Sequence, residues 1–207
     1  MRWIRLPLVM MPALILALAG LFHPHYLTID SAGSWQHLHI ALLPIFPLSA
    51  VGFLLPLWRR PGPDLAGIAT VVGWAGAFVY ATFYTGLDLV AGVAAGTVAR
   101  NTRPSADLGA VVQPLFDTGD RLGQVGVCGF AVATLGMSMV LLTRHRVAAS
   151  LIAAVLLGAS YSFLSNHIFW PRGVITFVAI GCGFGMSAWL AGRPVRCHRQ
   201  LTSELGV

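Results

Sequence analysis

Seven histidines occur in the 207-residue chain, and five of them fall in three places: His23-Pro24-His25, His37-Leu38-His39 and His167. Neutral imidazole is the commonest protein ligand for metals near neutral pH. Two or three imidazoles with one carboxylate make a zinc, copper or non-haem iron site. The spacing restricts which rings can meet. An extended, proline-bearing backbone turns His23 and His25 to opposite sides, and a helical backbone separates His37 from His39 by about 200°. Trp35 and His39 are four residues apart and share a helix face, which leaves His37 with Ile40, Ala41 and Pro44. The candidate ligands are therefore His23, His25, His37, His39, His167 and Asp88, of which one histidine from each pair can join His167 and a carboxylate around one ion. Haem ranks below a bare ion, because the spacing does not specify two axial ligands. HExxH, CxxCH and H-x₃-H are all absent, so the fold itself has to assemble any ligand set. The competing readings are that these histidines sit hydrogen-bonded at a membrane interface, where an amphipathic ring keeps one wet edge, and that they form a pH switch.

Other polar residues stand beside the histidines. Asp88 lies in an apolar run, and a carboxylate at membrane depth must face protein, water or a cation; the alternative is that the helix has already left the membrane there and Asp88 is an ordinary solvated carboxylate. Asp117, Asp120, Arg121 and Gln124 fall on one helical stripe. Their bland reading is an Asp117–Arg121 ion pair; their sharper one is the wall of a cavity with Asp120 as ligand or general base. Tyr161 and Ser165 are also four apart, next to Asn166 and His167. Asp120 and Tyr161 are the candidate catalytic residues. No strained nucleophile turn accompanies Ser165, so a Ser-His-Asp triad is not indicated.

The elements that must position these groups are membrane helices. Only 10% of residues are charged and 57% are hydrophobic, against about 25% charged in a soluble domain, and mean hydropathy is +0.77. These values exclude a disordered chain and an ordinary soluble enzyme. Six apolar stretches predict an all-α bundle of six transmembrane helices in one domain: 6–22, 40–58, 65–83, 125–142, 147–164 and 174–190, each long enough or nearly so for the ~20 residues a span needs. Met1–Gly20 also has a basic start and Ala17-Leu18-Ala19, features of a cleaved signal peptide, but its apolar run is long for one. Pro44, Pro47 and Pro56 predict a kinked second span. The apolar run continues past the third span, and 65–99 as one helix would be about 50 Å long. The segment 86–121 is therefore expected to form an extracytoplasmic helical hairpin, or lid, with a break at Gly86, a turn at Arg100–Pro104 and a new helix capped by Ser105. Gly92-x-x-x-Gly96, the glycines at 123, 126 and 129, and Gly181/Gly183/Gly185 allow close helix packing.

Charge sets sidedness. All basic residues are Arg, an association with GC-rich bacterial genomes, and the net charge is +6. Arg2, Arg5, Arg59, Arg60, Arg144, Arg146, Arg193, Arg196 and Arg199 fall on one side of the six spans; Arg100, Arg103, Arg121 and Arg172 fall on the other. The richer side is cytoplasmic by the positive-inside rule, which places both termini in the cytoplasm of a bacterial inner membrane and the five clustered histidines on the outer face. Arginines clustered between apolar runs fit lipid phosphates rather than nucleic acid. The expected partners are the lipid bilayer and, further, a membrane protein or a second copy of the chain. Cys128, Cys182 and Cys197 form no framework. The functional expectation is a multi-pass membrane protein with an extracytoplasmic His/Asp-lined site, acting as a metal-dependent oxidoreductase or metal-handling protein and using zinc, copper or iron. The alternatives are a structural or assembly subunit of a membrane complex and a small proton-coupled transporter.

Overall fold

A computed structural model of the protein describes residues 2–192, with side chains from Leu6 onward; Arg193, Arg196, Cys197, His198 and Arg199 lie outside the described residues. The fold is all-helical, without strands among the described residues. In chain order the helices are α1 (Arg2–Phe22), α2 (Ala32–Leu42), α3 (Ile45–Ser49), α4 (Val51–Leu54), α5 (Leu65–Leu87), a π-helical segment (Asp88–Ala94), α6 (Ala95–Asn101), α7 (Leu108–Leu142), α8 (Arg146–Asn166) and α9 (Arg172–Ala191). Five stretches are long and apolar enough to cross a membrane: Ala32–Leu54, Leu65–Asn101, Leu108–Leu142, Arg146–Asn166 and Arg172–Ala191. Leu6–Phe22, the part of α1 with described side chains, is also apolar and belongs to a helix of 21 residues; five of the six expected spans meet the length requirement within the described residues.

The boundaries shift where polar residues face the bundle. The second apolar stretch begins at Ala32 rather than Ile40. Trp35 and His39 turn inward and are buried, so one face of the turns before Ile40 belongs to the bundle interior, while His37 on the opposite face stays exposed. The stretch is segmented after Leu42 and again near Ala50, as its prolines predict. The third helix does not stop near residue 83. It passes into the π-helical turn at Asp88, two residues beyond the expected break at Gly86, and runs on to Asn101. After the turn, Asp107 rather than Ser105 caps α7, its carboxylate accepting from Ala110 N–H at 3.2 Å. α7 then runs without interruption through Pro114 to Leu142.

α5 packs chiefly on α7, α1 on α9, and α8 on both α7 and α9. Glycine makes the α5–α7 contact possible. A Cβ on Gly126 would stand 2.9 Å from the Tyr84 nitrogen, and one on Gly129 would stand 2.7 Å from that of Tyr80. The two backbones therefore touch where Tyr80 and Tyr84 project into the core. That core is aromatic: Phe46, Phe53, Tyr80, Tyr84, Phe130, Phe163, Phe177 and Phe184 are all fully or almost fully buried, most of them meeting edge to face, as Phe53 does with Phe130. A second apolar cluster of Ala32, Ala95, Ala99 and Val112 joins α2 to α6 and the start of α7.

Candidate metal centre

Three of the expected ligands, His39, Asp88 and His167, converge at one end of the bundle, and His23 stands beside them against the His39 ring. Tyr80, Tyr84 and Asp88 are spaced i, i+4, i+8, which puts them on one face of the helix, and all three are buried. The π-helical turn begins at Asp88. Such turns insert a residue and redirect side chains, and they recur at functional sites. Here the turn brings the Ala91 carbonyl to Trp35, whose indole N–H donates to it at 3.2 Å. It also sets Gly92 against the His39 ring, where a Cβ would lie 2.1 Å from Cδ2. Only glycine permits that approach.

The histidines are oriented by backbone carbonyls. His23 Nδ1 lies 2.7 Å from the Pro24 carbonyl oxygen, and His39 Nδ1 lies 2.7 Å from that of Trp35. A carbonyl can only accept, so in each ring Nδ1 carries the hydrogen and, in the neutral form, Nε2 carries a lone pair. The two Nε2 atoms face each other at 3.3 Å. Two facing lone pairs repel unless a proton or a cation stands between them. Two nitrogens held at about 2.05 Å from one tetrahedral ion lie about 3.3–3.4 Å apart, so the spacing suits a shared metal.

His39, Asp88 and His167 each offer a ligand atom within 4.8 Å of the others. His39 Nε2 is 3.9 Å from Asp88 Oδ1, within ion-pair range but too long for a hydrogen bond. Both Asp88 oxygens are therefore buried with no hydrogen-bond partner among the described residues. A dry carboxylate in that state is costly, and a cation held between it, His39 and His167 would satisfy it. His167 ends α8 with φ 43°, a value rare outside glycine. Its Nδ1 hydrogen-bonds the Tyr84 hydroxyl, and its ring stacks on Tyr84. Nε2 is the His167 nitrogen left for an ion.

Burial favours the metal-binding protonation state. In the loop after α1, burial first and the neighbouring His39 second lower the His23 pKa to about 4. In the loop after α8, burial and then the two other imidazoles hold His167 well below the usual range. Both rings are neutral at pH 7 and available as ligands.

The remaining expected residues separate. His25 and His37 are exposed. Asp120 is exposed at the rim of a cavity of about 290 Å³. His39 and His167 form part of the wall of that cavity, together with Trp35, Tyr84, Phe116 and Gln124. Ser165 lines it too, whereas Tyr161 does not; Tyr161 is 78% exposed on α8. Asp117 accepts from the Gln113 amide at 2.8 Å instead of pairing with Arg121. Sequence reasoning missed Tyr84 as the partner of His167. The four-residue repeat Tyr80, Tyr84, Asp88 was the available signal. Cys128 and Cys182 are free and exposed.

Comparisons with protein families, curated proteins and solved structures find no match for this chain.

Proposed function

We propose that the protein is a membrane-embedded metal protein in which His23, His39, His167 and Asp88 hold one transition-metal ion beside a small ligand cavity. The observation that carries this reading is the Asp88 carboxylate, buried without a hydrogen-bond partner next to an imidazole pair whose lone pairs meet at 3.3 Å. A ligand set of three nitrogens and one oxygen, with no sulfur, suits zinc, iron(II) or copper(II) better than copper(I). The adjoining cavity lies at the low end of ligand-pocket volumes, which favours a bare ion over haem. It gives a small molecule access to the His39 and His167 side of the ion, with Asp120 and Gln124 at its rim as proton acceptor and orienting groups. The activity is metal-dependent oxidoreduction or metal handling on the extracytoplasmic face of a bacterial inner membrane, both termini lying in the cytoplasm and the 86–121 segment covering the centre. The lipid bilayer is the environment, and a second copy or a membrane-protein partner fits the exposed apolar helix faces.

The transporter reading has less support. Between the centre and the arginine-bearing end the interior is dominated by Phe46, Phe53, Phe130, Phe163, Phe177 and Phe184, and among the described residues its buried polar groups there are hydroxyls such as Ser49, Tyr80, Thr134 and Ser138, with no buried carboxylate or imidazole to relay a proton. Metal analysis of the full chain, purified without chelator, tests the proposal. It expects about one equivalent of zinc, iron or copper, lost in the double variant H23A/H39A. A metal-free preparation that takes up none of these ions on addition overturns it. A partner that co-purifies and works normally after the histidine changes would favour the subunit reading instead.

A further inference from the structure

The opposite end of the bundle carries a second cavity, of about 490 Å³, that the metal centre does not use. On α7 it lies at Val140 and Leu141, some twenty residues and about 30 Å along the helix from Asp120. Its wall is of two kinds. Arg59, Arg144 and His145 supply cationic and hydrogen-bonding groups from two separate parts of the chain, and Leu55, Trp58 and Ala188 supply apolar surface. His145 Nε2 is buried and lacks a hydrogen-bond partner among the described residues. His145 is also the N-cap residue of α8, and no side chain caps that helix. The free N–H groups and the positive end of the helix dipole therefore add to the same field. Among the described residues one carboxylate faces this cluster: Asp64 stands 3.7 Å from the Arg59 guanidinium. Asp64 is more than half exposed, so water screens that pair and Arg59 can take a second partner.

Two guanidiniums and an imidazole around a partly apolar hollow match a phosphate attached to an acyl-bearing body. Arginine's planar fork binds phosphate oxygens in pairs, and Trp58, 82% exposed, has the character of a residue seated at a membrane–water interface. We propose that this cavity binds a phosphate-bearing anion, with the headgroup of an anionic membrane lipid as its source. The phosphate oxygens accept from Arg59, Arg144 and His145, and the acyl chain lies along Leu55, Trp58 and Ala188. The proposal does not depend on the metal centre.

Native mass spectrometry of the full chain in dodecyl maltoside tests it, with phosphatidylglycerol and phosphatidylcholine of matched acyl chains offered in equal amounts. Phosphatidylglycerol should be retained in preference, because the choline ammonium would meet two guanidiniums. R59A and R144A should each reduce that retention about fivefold, and R172A, an exposed arginine at the other end of α9, should leave it unchanged. Helical circular dichroism of each variant confirms that the fold is kept. Millimolar inorganic phosphate separates the sources: retention that survives it supports the lipid, and displacement by it assigns the site to free phosphate and overturns the lipid source. Equal retention of both lipids, or undiminished retention in the two arginine variants, overturns the proposal itself.

Discussion

Replacing Asp88 by Asn separates the two states of the proposed centre, because it should act on them with opposite sign. Without an ion, the Asp88 oxygens are buried and accept no hydrogen bond. An unpaired buried carboxylate costs several kcal/mol after relaxation, and an unsatisfied amide in its place costs about 1–3 kcal/mol. The metal-free D88N protein should therefore be more stable than the parent by about 2 kcal/mol. For a chain of this size that is a rise in Tm of about 4–8 °C. With zinc the order should reverse. Free zinc at a thousandfold excess over Kd stabilises the folded protein by about 4 kcal/mol. Losing a direct ligand should weaken binding at least as much as losing a second-shell partner, about a hundredfold, and the same zinc concentration then contributes only about 1.4 kcal/mol. Thermal unfolding of detergent-solubilised parent and variant, each with chelator and with zinc, reads all four values. A D88N protein that is less stable than the parent without metal, yet keeps the full zinc-dependent rise, would refute the reasoning: Asp88 would then be a structural residue with a partner of its own.

Three further outcomes follow from the geometry. H23A and H39A should each lower zinc affinity at least a hundredfold by isothermal titration, while H25A and H37A, whose rings are exposed, should leave it within about twofold; the thresholds take the upper end of second-shell losses as the floor for a direct ligand. G92A places a methyl group 2.1 Å from His39 Cδ2, so it should displace the ring, cost about 1–3 kcal/mol of stability as overpacking does, and reduce zinc uptake in the same titration. Y84F removes the hydroxyl that holds His167 Nδ1 and should weaken zinc binding about 10–100-fold with the helical circular dichroism unchanged.

Local geometry made part of the centre legible in the sequence. Helical periodicity separates His39 from His37 and pairs His39 with Trp35, and the two rings do stack, with centroids 5.0 Å apart. The short connection between the first two helices brings His23 to the same depth as His39. The chance that Asp88 faces inward rested on the cost of a carboxylate in hydrocarbon. What periodicity could not show were contacts made across the fold. Tyr84 meets His167 from 83 positions away, and Trp35 meets the Ala91 carbonyl from 56. A π-helical turn also leaves little trace in a hydrophobic pattern, since it changes the phase by a single residue. The second helix was placed too late because Gln36, His37 and His39 count as polar whether they face water or a bundle interior. The cap of α7 fell to Asp107 because both Ser105 and Asp107 are good N-cap residues, and the choice between them depends on where the turn closes.

The central claim is that four side chains share one cation, and the anomalous difference map from crystals grown with zinc, measured at the zinc edge, tests it most directly. A single strong peak about 2.0–2.1 Å from His23 Nε2 and His39 Nε2, with Asp88 and His167 closing around it, is the expected result. No peak at that end of the bundle, or one seated on the exposed His25 or His37 with Asp88 still unpartnered, would contradict it.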